Sequence, residues 1–515
     1  MVMVGIIGSR LLGIVRESAF ANVFGAEAHT DAYFQSFRIP ELLYNLMAAG
    51  ALAAGLVPAF TERLTRGKKK EAWELFRSLL TVLTLLATVI IGVASFYSPA
   101  LALLVGRGPG FTPEVSALCA SLMRIMLPAQ IFFVVGGLFM GALNSFRIFV
   151  WSAVAPGIYN LFIIVGVLVF GPRIGLFGAA WGVFAGAFVA QVLLQGPPLK
   201  RLGASFRPMW APLSPGVKQV ARLFFPVTLG LCLSQINFMV SSVIAAGLGP
   251  SSVSYFNYAF RLIWFPIGVF GTSLGISLFP ALSTHASLDE VAEFRHKLAL
   301  GLRMLLFVVL PATCIFMLLS AELVRFLYQS GRFTGDNTAG TASALVLYSP
   351  AILFLSLQQL AARAFYALQK SKVPVSVGGP SVLLCIGLSW LLSRSMGLEG
   401  ITLGNSVASG FNCVVLIFLL SRTIGGLELD AFGRCMLRSL LALLPLALVT
   451  YASSQWCHAH LPGQAKILQA LQFLIPTALG SGVYIVAAFL LRSREISYLL
   501  RVLSRRKVAA SPQDR

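Results

Sequence analysis

Three side chains near the start of the chain could do chemistry that their surroundings make costly. Arg10, Arg16 and Glu17 lie in the stretch Gly8-Ser9-Arg10-Leu11-Leu12-Gly13-Ile14-Val15-Arg16-Glu17-Ser18-Ala19-Phe20, within an apolar segment long enough to cross a bilayer. A charge at the bilayer centre costs at least about 2.5–3.5 kcal/mol, so such residues face a wet cavity or a partner. On a helix Ser9 and Arg16 share a face, as do Arg10 and Glu17, and Gly13 between them permits close approach. Asp31 opens the next apolar segment, where Arg38 and Glu41 are spaced to pair locally and Pro40 predicts a kink. Arg261 stands in a later one. Glu17 and Asp31 cannot neutralise Arg10, Arg16 and Arg261 together. Surplus guanidinium groups in apolar segments suit a phosphate-bearing ligand, which arginine grips in forked, charge-assisted geometry. Glu17 and Asp31 are read as partners of these arginines when no ligand is bound; Asp31 has the second reading of a cap on its own helix.

Other candidates carry less. Arg124, Arg303 and Arg363 lie near segment ends, where snorkelling or structural ion pairing is expected. Cys457-His458-Ala459-His460 has metal-ligand types but no matched partners, so no metal site is expected. His285 and His296 flank a polar loop and are expected to be solvated. No nucleophile–base order, carboxylate pair or phosphate-cradling glycine loop stands out, so neither an enzyme nor a cofactor is expected. The run Lys68-Lys69-Lys70 reads as a topology signal in contact with anionic headgroups, and nothing else supports a nucleic-acid partner.

The elements that position these residues follow from composition. The 515 residues are 57% hydrophobic and 11% charged, which excludes a soluble globular protein and predicts an all-α integral membrane protein. Hydropathy predicts fourteen transmembrane helices, over 3–24, 32–61, 76–105, 116–144, 149–171, 174–196, 217–247, 253–284, 298–327, 338–368, 373–393, 397–421, 433–453 and 468–491. Even-numbered loops are basic (Arg63, Arg66, Lys68, Lys69 and Lys70 after the second span; Lys200, Arg201 and Arg207 after the sixth), whereas odd-numbered loops carry one basic residue or none. The positive-inside rule then places both termini in the cytoplasm. Part of the net charge of +21 is this topology signal. The seven cysteines are scattered through apolar segments and predict no disulfide framework. The N-terminus does not read as a cleavable signal, and Met1 falls almost at the membrane edge.

An internal repeat organises the spans. Tyr33-Phe34 recurs at Tyr255-Phe256, Pro58 at Pro280, Pro128-Ala129 at Pro350-Ala351, and Gly175-Leu176-Phe177-Gly178 at Gly397-Leu398-Glu399-Gly400, each pair 222 positions apart. The offset lays span 1 on span 7, and an even number of spans per copy makes the repeat parallel. Two pseudo-symmetric six-helix lobes around a central cavity are expected, over 1–210 and 211–425, with two further helices over 426–495 and a basic cytoplasmic tail over 496–515.

With Ser9-Arg10-Leu11-Leu12-Gly13-Ile14-Val15-Arg16 followed by Thr30-Asp31-Ala32-Tyr33-Phe34, the chain resembles the MurJ (MviN) family of the MOP transporter superfamily, the bacterial lipid II flippases. Gly141-Ala142-Leu143-Asn144, the segment from Arg261 through Pro266-Ile267-Gly268-Val269-Phe270-Gly271, Gly331-Arg332-Phe333-Thr334 and Ala362-Arg363-Ala364-Phe365-Tyr366 look like the same family, from about residue 5 to about 425. The resemblance implies an inner-membrane protein that moves undecaprenyl-pyrophosphate-linked disaccharide-pentapeptide to the periplasmic leaflet. Its partners would be lipid II, inner-membrane lipids and other cell-wall synthesis proteins. It implies substrate-binding roles for Ser9, Arg10, Arg16 and Arg261, gating or ion-pair roles for Glu17 and Asp31, and a lipid-tail groove formed by the last two helices. Tyr44 and Asn45 replace a basic residue of some members, and Trp264 an acidic one. Sodium coupling would need carboxylates on spans 7, 11 and 12, which offer only Glu399. The rival readings are a flippase for another polyprenyl-pyrophosphate-linked oligosaccharide, a cation-drug exporter, which should offer acids instead, and a non-transport scaffold of cell-wall synthesis.

Overall fold

The protein is described by a computed structural model that covers residues 2–47, 51–463, 465–493, 495, 496 and 498. The expected tail over 496–515 lies outside the described residues apart from 496 and 498. Every regular element among the described residues is helical. In lipid each segment must satisfy its own backbone polar groups, and helices do so. Among the described residues ten helical runs are long and apolar enough to cross a membrane, and the pair Gly335–Tyr348 and Pro350–Ala367, bent by 45°, makes an eleventh if it is one span. This is a multi-pass membrane protein. Three other expected spans are helical without meeting that measure among the described residues. Val2–Phe24 carries three charges, 32–61 is interrupted, and the third lies in the helix Pro215–Ala246, within which Gln235–Ala246 is the apolar stretch found among the described residues.

Prolines explain most interruptions. The second segment breaks into Ala28–Ser36 and Arg38–Met47, with Ala51–Thr65 following. Pro40 has no N–H for the Ser36 carbonyl and its ring crowds that carbonyl, so the first helix ends there. Pro128 separates Pro113–Met126 from Ala129–Ser145 in the same way.

The chain divides into two compact units, residues 1–257 with 328–337, and residues 258–327 with 338–515. In the first, helices Ala51–Thr65, Lys69–Phe96 and Ala129–Ser145 close on an aromatic cluster of Phe60, Trp73, Phe76, Phe139 and Phe146. Farther along, Lys69–Phe96 turns Leu85, Leu86, Val89 and Val93 outward, as a helix solvated by lipid tails does. Gly166 and Gly178 bring two helices into backbone contact, since a Cβ on Gly166 would lie 2.5 Å from the Gly178 carbonyl oxygen.

In the second unit, Val291–Leu318 packs against Leu429–His460 and Lys466–Leu490 around Phe307, Leu446 and Tyr484. The Tyr484 hydroxyl donates to the Phe307 carbonyl at 2.9 Å. Arg303 and the buried Glu495 pair at 3.9 Å, and Glu495 also accepts from Ser493. Glu495→Ala would strand the guanidinium, at an expected cost of about 3–5 kcal/mol. A lower melting temperature in detergent checks this, and the double change R303M/E495L should recover most of the loss. Arg363 and Arg124 also act structurally, donating to the Thr272 carbonyl at 3.1 Å and to the Ser98 hydroxyl at 2.7 Å. His458 faces Glu322 at 3.0 Å, while His285 and His296 meet Glu290 and Glu428 at exposed positions. All seven cysteines are free.

Residues related by the 222-position offset adopt matching local conformations. Gly175 and Gly397 both stand before a helix at φ 61° and 60°, with ψ −144° and −132°. A side chain would strain that backbone. Pro128 and Pro350 both sit at the break between two helices.

Candidate anion-binding site

Helix Val2–Phe24 packs along Val150–Val165, and that contact shapes the site around Arg16. Gly13 faces Asn160, and Gly157 faces Leu12 and Ser9, so small residues let the helices approach. Asn160 is the polar member of this contact. Its side-chain oxygen accepts from Arg16 Nη1 at 2.9 Å, and its amide donates to the Ser9 carbonyl at 3.2 Å. Arg16 Nη2 forms an ion pair with Glu17, which is 7% exposed. Asn160 and Glu17 thus hold the guanidinium from two sides while its side chain stays partly open to solvent. The group has five N–H donors in a fixed fork, so bound anionic oxygens can meet it without displacing both supports.

Ser9, Arg16 and Glu17 therefore come together, with Asn160 as a member that hydropathy reading missed. The signal available was a lone amide in an otherwise apolar segment. Glu17 pairs with its chain neighbour Arg16, not with Arg10, although Arg10 and Glu17 share a helical face. Arg10 is exposed on the same helix. Arg261 is exposed on Ser252–Pro266 and belongs to the second unit. A π-helical turn over Ile267–Thr272 follows it, and Gln359 and Arg363 meet the hydroxyl and carbonyl of Thr272. Such a turn accommodates one extra residue, so it resets the register between Arg261 and the rest of its span.

Asp31 does not face an arginine. Its carboxylate accepts from the backbone N–H of Ser254 at 2.7 Å and from the Ser254 hydroxyl. Nor does it cap its own helix as the second reading expected: Asp31 caps the first turn of Ser252–Pro266. A helix start offers unsatisfied N–H groups and positive potential, which a carboxylate answers. Asp31, Gln35 and Arg38 follow at helical spacing along one seam of the first unit. Gln35 donates to the carbonyls of Val105 and Ser242, each at 2.9 Å, and accepts from the Ser242 hydroxyl at 3.0 Å. Arg38 donates to Ser242 at 3.2 Å and to Asn257, and pairs with Glu41 at 3.4 Å as its spacing predicted. Ser251 donates to the Ala26 carbonyl at 2.7 Å, and the Arg332 N–H to the Asn22 carbonyl at 2.9 Å.

The family described as "Lipid II flippase MurJ" matches residues 20–487. A probable lipid II flippase MurJ of Buchnera aphidicola is 30% identical over 456 residues, covering 87% of this chain and 89% of its own. A lipid II flippase MurJ of Burkholderia cenocepacia is 30% identical over 457 residues, 87% of each chain. Among solved structures, a lipid II flippase MurJ in an inward closed conformation superposes with a TM-score of 0.79 at 23% identity, covering 95% of this chain and 97% of its own. An inward-facing multidrug-resistance transporter of the MATE family and MOP superfamily follows at 0.68 and 15% identity, covering 82% and 98%. These two likenesses are of fold.

Proposed function

The chain belongs to the MurJ family of lipid II flippases, and from that premise we propose that it moves lipid II from the cytoplasmic to the periplasmic leaflet of the bacterial inner membrane by alternating access. The observation that carries the reading is Arg16, a guanidinium oriented by Asn160 and Glu17 within an apolar helix. Arg10, Arg16 and Arg261 grip the pyrophosphate, with Ser9 lining the same helix face as Arg16. Glu17 balances Arg16 when the site is empty, and Asp31 secures the seam on which the closed state depends. The finer architecture belongs to this proposal: fourteen spans, a lobe over 1–210, a second over 211–425, a lipid-tail pair over 426–495, a basic tail over 496–515 and cytoplasmic termini. The basic even-numbered loops support the orientation. The seam then lies on the periplasmic side and is closed.

The charge of the site favours this reading over drug export, which the MATE likeness alone would allow. A cationic drug needs acids, whereas these helices offer guanidinium groups. Outward movement of an anionic headgroup is also favoured by a membrane potential negative inside, by about 2.3 kcal/mol per charge per 100 mV. The test is to deplete the protein and measure which labelled lipid-linked precursor accumulates on the cytoplasmic face. Lipid II is expected, and accumulation of another polyprenyl-pyrophosphate-linked oligosaccharide instead would overturn the substrate assignment.

Asn160→Ala tests how Arg16 is held. Losing a buried partner of a charged group costs about 1.5–3 kcal/mol, so lipid II affinity should fall at least about tenfold at unchanged protein abundance. Titration with purified lipid II in nanodiscs reads it.

A further inference from the structure

Arg38 is 2% exposed and sits where the cluster of surplus arginines gives no reason for another charge. Around it are the Ser242 hydroxyl at 3.2 Å, the Asn257 side-chain oxygen and the face of Phe238, whose centroid lies 4.2 Å from the guanidinium carbon. Glu41 approaches at 3.4 Å from the rim, where it is 37% exposed. On the seam side the guanidinium thus meets two neutral oxygens and a ring, while Glu41 answers part of its charge from the rim. A clasp between helices does not need a charge, since apolar replacement of a buried charged cluster is often neutral or stabilising. Arg38 also shares its seam with Asp31 and Gln35, and that seam must part if the periplasmic side opens.

We propose that Arg38 is a second pyrophosphate-binding residue, used on the way out. When Arg38–Met47 parts from residues 238–257, Arg38 exchanges Ser242, Asn257 and Phe238 for phosphate oxygens of the departing headgroup. The donors that now meet neutral oxygens are already arranged as a fork. Anionic acceptors bind such donors about twice as strongly as neutral ones do. The ligand therefore has a differential affinity for the open seam, which is what a ligand needs to shift a two-state equilibrium. Arg10, Arg16 and Arg261 receive the headgroup, and Arg38 gives it a later hold. This deepens the flippase reading and rests on it.

The test measures binding of undecaprenyl pyrophosphate to the full chain in nanodiscs. One arm uses the protein free to open. The other carries A26C/S251C oxidised to a disulfide, which holds the seam shut without touching a proposed ligand residue. Arg38→Gln should weaken binding about tenfold in the free protein and leave the cross-linked protein unchanged. Arg38→Lys should fall in between. Asn257→Ala removes a competitor for Arg38 and should tighten binding in the free protein several-fold. A mere clasp predicts that R38Q and N257A shift binding in the same direction, and that result overturns the proposal, as does an R38Q loss that is equal in both arms or absent from both. Failure of the unmutated free protein to bind the probe would instead overturn the flippase reading itself.

Discussion

Arg16→Ala is expected to abolish rescue of a strain depleted of this protein, by the largest margin of any single change in the site. Two losses coincide. The ligand loses a forked donor, and Glu17, 7% exposed, is left as a buried carboxylate without its cation. The second loss threatens the fold, because breaking a buried pair costs about 3–5 kcal/mol. A double change separates the two. Arg16→Ala with Glu17→Gln removes both charges, so protein levels should return to normal while growth does not. Quantitative immunoblotting beside a colony-forming assay checks it. Normal growth of the double variant at normal abundance would remove Arg16 from the mechanism.

The second large effect is conformational. Ser251 donates to the Ala26 carbonyl across the seam at 2.7 Å, so the two positions are close enough for an engineered disulfide to be attempted. The native cysteines are free, six of them buried and Cys314 intermediate, and compete little for oxidant. With A26C/S251C oxidised, lipid II translocation in proteoliposomes should stop almost completely, and reductant should restore it. Reversal matters here, since both positions lie outside the proposed ligand contacts. Full translocation by the cross-linked protein would show that this seam does not open during the cycle.

The apolar segments and their breaks were legible in the sequence because hydropathy and proline act locally. Pro40 ends Ala28–Ser36 through a carbonyl four residues back, and Gly175 and Gly397 take the same positive φ because each must begin a helix from a tight turn. The charged residues were legible as costly, and their partners only in part. Helical periodicity put Glu17 beside Arg10, but the arginine side chain is long enough to reach the neighbouring face, and Glu17 pairs with Arg16. Asp31 was read as a partner of the arginines or a cap on its own helix, and it does neither: it caps a helix that starts more than two hundred residues later. Asn160 gave no signal beyond its polarity, because its function depends on which helix lies opposite. Pairing between distant segments is decided by packing, and one sequence carries little trace of it.

The seam of Asp31, Gln35, Arg38, Ser242, Ser254 and Asn257 also bears on temperature. Exposing apolar surface to water raises the heat capacity by about 0.45 cal/K/mol/Å², while exposing polar surface lowers it by about 0.26. An interface fastened chiefly by amides, hydroxyls and charges therefore opens with a smaller heat-capacity change than an apolar interface of equal area, and one of opposite sign where polar surface dominates. The enthalpy of opening the seam then stays nearly constant with temperature, whereas that of an apolar interface would climb steadily on warming.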